Sequence, residues 1–413
     1  MHHFFRFFAT LLLFICSYST SRAQVWTWVN GYNNATSAGT TGVYGTLGVT
    51  SPTNFPGSRN AYSSWQDALG NFWVFGGYTC CNGIGNDLWK YNPTGNTWTW
   101  MKGSNVGNQY ATYGLQGTPS ASNNPGGRWI ASSWIDNAGK FWLFGGEAYA
   151  VSFGTGKSNE LWRYDPTTSE WTWMNGYSLL NQNGNYGTIG VSSPFNNPGS
   201  RRGAMTWKSS SGDLWLFGGY GYGVSGGLGN LNDLWKYNVS TNEWTWISGS
   251  GIINQTGTYG SIGVPAVTNS PGSRQEATIW NDNSGNIWMS AGYGYGASAT
   301  IGLLNDLWRY NISSGQWTWM KGTNSINQLG AYGVQGVSSA TNVPGSRQSS
   351  FSWVDSNGNL WLLGGYGYAA SGTIADQLND FWKYNTISNQ WTWVSVEISL
   401  KQTPTFHSKL TPH

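Results

Sequence analysis

The residues best equipped for chemistry are an arginine and a carboxylate that return together along the chain. Arg59, Arg201, Arg274 and Arg347 each close a Pro-Gly-Ser-Arg segment, and Arg128 closes Pro-Gly-Gly-Arg. Asp87, Glu160, Asp233, Asp306 and Asp380 follow them, each inside an Asn-Asp-Leu-Trp-Lys-Tyr element or a close variant. A charge that recurs in every copy of a repeat is more often scaffold, so the expected role is pairing or turn capping. The acidic residues outside these positions, among them Glu147, Asp165, Glu276 and Asp376, form no pair of the kind glycosidases use.

Metal and redox chemistry find little support. Of the four histidines, His2 and His3 open the chain and His407 and His413 close it, leaving no imidazole between them. No metal site and no cofactor is expected, and the chain reads as a non-enzyme. Cys80 and Cys81 are adjacent in a Gly-rich stretch. In an oxidising compartment they could close a vicinal disulfide, the plainer alternative being two small loop residues.

Only 9% of residues are charged, and the formal charge of +3 comes with no Lys/Arg run, which argues against a nucleic-acid partner. Residues 1–23 read as a signal peptide: Arg6, an apolar run from Phe7 to Cys16, and Ser21-Arg22-Ala23 before Gln24. The run is too short to span a bilayer, so the expectation is a secreted or cell-surface protein without a membrane span.

The elements that must position these residues announce themselves by arithmetic. Trp-Thr-Trp begins at Trp26, Trp98, Trp171, Trp244, Trp317 and Trp391, a period of about 73 residues. Each repeat arginine is followed six residues later by a tryptophan (Trp65, Trp134, Trp207, Trp280, Trp353) and eight residues after that by another (Trp73, Trp142, Trp215, Trp288, Trp361). A further tryptophan, Trp89, Trp162, Trp235, Trp308 or Trp382, stands nine residues before each Trp-Thr-Trp. These positions absorb 27 of the 28 tryptophans once Trp26 and Trp28 are added, so the tryptophan content belongs to the repeat and not to a site. Each unit divides into four short strands, the second apolar on both faces and ending in Gly-Gly or Ala-Gly. Units that carry an aromatic layer must stack on one another to bury it.

The order Pro-x-x-Arg, an apolar strand ending in Gly-Gly, Asn-Asp-Leu-Trp-x-Tyr and then a Trp strand resembles the kelch repeat. The resemblance covers residues 56–393. It implies an all-β fold, a β-propeller of four-stranded antiparallel blades like the central propeller of galactose-oxidase-like proteins. The copper site of those oxidases needs histidines that the repeats lack. Five complete blades are expected at about 56–101, 125–174, 198–247, 271–320 and 344–394 within a propeller domain of 24–394, followed by a non-repeat tail, 395–413. Kelch units are shorter, and the excess lies in a bridge from Trp-Thr-Trp to the next arginine, 28 residues in all four internal cases; Tyr-Gly-x-x-Gly begins at Tyr44, Tyr113, Tyr186, Tyr259 and Tyr332, always 15 residues before the arginine. We expect an ordered loop packed on the blade.

In such a blade the long two-to-three and four-to-one connections share one face. Tyr220 and Tyr222, Tyr293 and Tyr295, and Tyr366 and Tyr368 open the two-to-three loops, with Tyr78 and Tyr149 nearby in the other units. These eight tyrosines are the candidate contacts to an extracellular glycan or protein; packing of the loops against one another is the alternative. A structural or adhesive surface protein without a small ligand is the second functional reading, and an unrecognised hydrolase the third. The repeats do not come out even, because Val25–Val29 reads as a sixth strand four. That count predicts either a five-bladed ring with a spare strand or an open six- or seven-bladed ring with an exposed edge and a tendency to self-associate.

Overall fold

The computed structural model describes residue 29 and residues 39–150, 154–282 and 284–395. The expected signal segment, the Trp26–Trp28 strand and residues 396–413 of the tail lie outside these. Contacts divide the chain into a unit of Asn34–Thr403 and one of Met1–Asn33 with Pro404–His413, of which Val29 is the only described residue. All the strands belong to the unit of Asn34–Thr403.

Every regular element among the described residues is a β-strand. In the first repeat these are β1 (Arg59–Asn60), β2 (Ser63–Gln66), β3 (Phe72–Thr79), β4 (Gly83–Asn92) and β5 (Thr97–Lys102). β2, β3, β4 and β5 form an antiparallel meander, and β1 pairs with the far half of β3, Arg59 opposite Thr79. The later repeats share the same plan, with the second and third strands interrupted in repeats 2 and 4. The last strand is Gln390–Ser395.

Two local features depart from the sequence reading. The first strand, expected to run from the repeat arginine to the tryptophan six residues on, is broken two residues after each arginine, where Ala61, Ile130, Gly203, Glu276 and Ser349 all take positive φ. The break lets the arginine end pair on one half of strand two and the Trp65-type end on the other. The two-to-three connections are not loops at their roots: strand two continues past Gly76-Gly77 as a β-ribbon, with a bulge between Phe75 and Gly77. Gly76 has φ 64°, and a methyl group there would sit 2.7 Å from the Arg128 carbonyl of the next repeat, so a side chain is excluded.

Successive sheets stack face to face. Trp65, Trp73 and Leu88 of repeat 1 pack against Phe141, Leu143, Trp162 and Trp171 of repeat 2. The same pairing of positions recurs from repeat 2 to 3, from 3 to 4 and from 4 to 5. The broken first strands also bond to one another, Ile130 N–H to Ala61 O (2.8 Å), Gly203 to Ile130 (3.0 Å), Glu276 to Gly203 (2.9 Å) and Ser349 to Glu276 (3.0 Å). The bridge segment protects the other edge. Ser192–Ser193 adds a short strand to Glu243–Ser248, and Ser338–Ser339 does the same for Gln390–Ser395.

Candidate functional site

The recurring arginine and carboxylate meet in each repeat. In repeat 3, strand three (Leu228–Asn238) supplies Asp233, and the alternation of side chains along a strand puts Trp235 on the same side. Arg201 meets the carboxylate with both nitrogens, Nη1 to Oδ1 at 2.6 Å and Nη2 to Oδ2 at 2.8 Å. Its Nε and a second Nη1 hydrogen go to the carbonyls of Gly199 and Gly218, both at 2.9 Å. Asp233 Oδ2 also accepts Trp235 Nε1–H (2.7 Å) and the hydroxyl of Tyr186 (2.6 Å), which arrives from the bridge segment.

The arrangement repeats around Asp87, Asp306 and Asp380, with Tyr44, Tyr259 and Tyr332 as the hydroxyl donors. Repeat 2 uses Glu160, held by Arg128 Nη2 at 2.5 Å and by Tyr113 and Trp162. Both side chains of the Arg201 and Arg274 pairs are 0% exposed.

The electrostatics favour a locked pair. Burial works against the Asp380 charge, but the Arg347 guanidinium, with hydrogen bonds from Tyr332 and Trp382, outweighs it and holds the carboxyl below its ordinary value. Asp87 is lowered in the same way. Burial first, and the neighbouring carboxylate second, push the Tyr44, Tyr186, Tyr259 and Tyr332 hydroxyls well above the usual tyrosine value. In repeats 3, 4 and 5 the arginine, carboxylate and tyrosine of the cluster are all buried with fixed partners, whereas Tyr44 and Arg59 in repeat 1 and Tyr113 in repeat 2 are only partly buried. Such a cluster can clamp a strand, a turn and a linker together; it has no open position for a substrate.

Of the two roles expected for the repeated carboxylates, pairing is what the structure shows. Turn capping falls to a different set, the aspartates two residues after the first tryptophan: Asp67 accepts Leu69 N–H, Asn71 N–H and Trp73 Nε1–H at 2.8–3.0 Å. The tyrosine hydroxyls are the part sequence reasoning missed, and the signal was there. Tyr-Gly-x-x-Gly always opens 15 residues before the arginine, too constant a distance for a free loop.

The eight candidate tyrosines sit mostly on strands. Tyr220 and Tyr222 belong to Leu214–Tyr222, Tyr293 and Tyr295 to their own strand, Tyr78 to β3, and Tyr366 to Leu360–Gly367. Tyr149 and Tyr368 stand just beyond a strand. The ribbons bring some of them together with groups the sequence did not flag. Tyr220 lies under Lys157 Nζ (5.4 Å) and beside the Arg202 guanidinium (5.5 Å), which also covers Trp129 (5.7 Å). Lys157 pairs with Glu147 at 3.1 Å, and Tyr78 of the preceding repeat leans on Trp129, ring centres 5.8 Å apart. Tyr149 packs on Tyr110 instead. Tyr366 lines a cleft of about 710 Å³ together with Phe351, Gln348 and Gln377. The eight rings are spread over five repeats and do not share this cleft.

Cys80 and Cys81 stand exposed as thiols in the turn between β3 and β4, with Cys80 Sγ 3.4 Å from the Thr40 carbonyl of the bridge segment. Among the described residues no three of His, Cys, Asp and Glu gather as metal ligands, and no helix is long and apolar enough to cross a membrane. No protein-family model matches the chain, and no curated protein matches it.

Proposed function

We propose that this chain is a secreted, kelch-like propeller protein that binds an extracellular glycan or protein and catalyses nothing. The observation that carries this reading is the contrast between the two aromatic populations. The repeat tryptophans and the Tyr-Gly-x-x-Gly tyrosines are committed to the scaffold, whereas Tyr78, Tyr220 and the non-repeat Trp129 stand on the ribbons beside Lys157, Arg202 and Glu147. Half-exposed aromatic rings flanked by fixed donors and acceptors suit sugar faces and hydroxyls, or a polar peptide surface.

The second reading, a structural or adhesive surface repeat protein with no small ligand, draws on the half-buried state of Tyr220 and Tyr222. A glycan array and a pull-down against extracellular proteins, both run with folded chain, decide between them. A ligand that is lost on Tyr220→Ala, with melting temperature unchanged, supports binding at the ribbons. Two negative screens sink the reading and leave the structural one.

A further inference from the structure

Each interior junction seats two different faces, one given by a repeat to its successor and one offered by that successor. The giving face carries the first two tryptophans and the apolar residue before the third, as in Trp280, Trp288 and Leu307. The receiving face carries the alternate residues of strands two and three, as in Leu360, Leu362 and Trp382. Among the described residues, one face of each kind has no neighbouring repeat packed on it and is partly exposed. On the giving side of repeat 5, Trp353 is 40% exposed and Phe351 71%, whereas the tryptophans equivalent to Trp353 are buried in every other repeat. On the receiving side of repeat 1, Phe72 is 46% exposed, and its four equivalents, Phe141, Leu214, Ile287 and Leu360, are all buried.

The backbone agrees. The inter-repeat ladder runs from the Ala61 carbonyl to the Ser349 amide and, among the described residues, no further bond joins Ser349 O to Ala61 N. At Gly76, Gly145 and Gly218 the nearest atom to a would-be methyl is the arginine carbonyl of the next repeat, but at Gly364 it is Leu378 of its own. The 710 Å³ cleft lies at this place, against Gly364 and Phe351. In the interior repeats the arginine-led start of the successor fills it.

We propose that the giving face of repeat 5 docks the receiving face of repeat 1 on a second copy of this chain, head to tail, with Pro56–Asn60 of the second copy entering the cleft. Phe72 and Phe351 are exposed in the same molecule, so neither face covers the other. They are also of different kinds, so the match is heterologous and does not pair like with like. Four junctions within the chain are the template for the fit, and an exposed aromatic sheet face of this kind marks an interaction surface. The proposal stands independently of any glycan or protein ligand on the ribbons.

Sedimentation velocity on the chain purified from an exporting host, at rising concentration, tests it with Phe351→Glu and Phe72→Glu. Both sites are exposed, and near-UV circular dichroism checks that each variant keeps its tryptophan packing. The expected result is concentration-dependent association of the unaltered chain, and loss of it in either variant alone. An equimolar mixture should then form a dimer that grows no further, because one intact face of each kind is present. A wild-type chain that stays monomeric overturns the proposal. So does a Phe72→Glu variant that still associates, which would mean that repeat 5 faces pair with each other, or a mixture that stays monomeric.

Discussion

Trp207 in repeat 3 and Trp353 in repeat 5 hold the same place in the pattern, six residues after the arginine, yet the first is 4% exposed and the second 40%. The polar clusters of the same two repeats show no such difference: Arg201 and Asp233 are 0% exposed, and Arg347 and Asp380 are each 1% exposed. A repeat therefore has two kinds of interior. The Arg–carboxylate–Tyr–Trp cluster is closed by the repeat and its own bridge segment, whereas the aromatic layer is closed only by a neighbour. Stability held in the first kind should be the same in repeats 3 and 5, whose clusters are equally closed, and stability held in the second should depend on position.

The largest effect is expected where the cluster is broken. Asp233→Ala leaves Arg201 buried and uncompensated and should cost about 3–5 kcal/mol in chemical denaturation. Asp380→Ala should cost about as much, because its cluster is equally closed. A clearly smaller loss at Asp380 would mean that neighbours help to close the cluster. Acid should show the same chemistry. The Asp87 and Asp380 carboxyls are held below their ordinary value, so their contribution is present above the unfolded carboxylate range and is lost as pH falls through the lowered one. Stability should drop below about pH 4, the unfolded aspartate value, and Asp380→Asn should flatten that part of the curve.

The aromatic layer separates the two repeats. Trp207→Ala opens a cavity between repeats 3 and 4 and should cost about 3–5 kcal/mol. Trp353→Ala removes a ring already in part solvated, stacked on Trp361 and against Phe381, and should cost roughly half as much. Equal losses in dilute solution would show that Trp353 is covered there. The comparison gains a further edge if the second copy docks as proposed, for the Trp353 loss should then grow with protein concentration while the Trp207 loss does not.

The division between the two interiors also explains what the sequence disclosed. Period, strand order and the scaffold role of the tryptophans come from spacing alone, since Trp89, Trp162 and their equivalents keep a fixed distance from the next Trp-Thr-Trp. The pairing of Arg201 with Asp233 was legible as a recurrence. The third partner, Tyr186, lies 47 residues from Asp233, and only the path of the bridge segment across the sheet brings them together. The candidate ribbon site was partly legible for the same reason. Tyr220 stands in the repeated pattern, whereas Trp129, Lys157 and Arg202 are single departures from it that become neighbours only when repeats 2 and 3 stack. Gly-Tyr-Gly runs carry turn composition and so predict loops where the ribbons stand; pairing of Arg202 with Tyr220, and of Tyr220 with Asn230, overrides it.

The smallest effect is expected at a pair that has the same chemistry without the enclosure. Lys140 and Asp165 meet at 2.5 Å in repeat 2, but their side chains are 24% and 25% exposed. Water competes for both charges, and a long lysine must be held still, so Lys140→Met should cost less than about 1 kcal/mol. Salt sharpens the contrast: raising it to about 1 M shortens the screening length from roughly 10 Å at 0.1 M to about 3 Å. That should erase the Lys140 contribution, while the loss on Asp233→Ala stays where it was, because neither Arg201 nor Asp233 reaches solvent. If salt instead weakened the Asp233 effect in parallel, ions would be reaching the cluster. The repeated arginine would then have to be reconsidered as an open anion site and not a closed clamp.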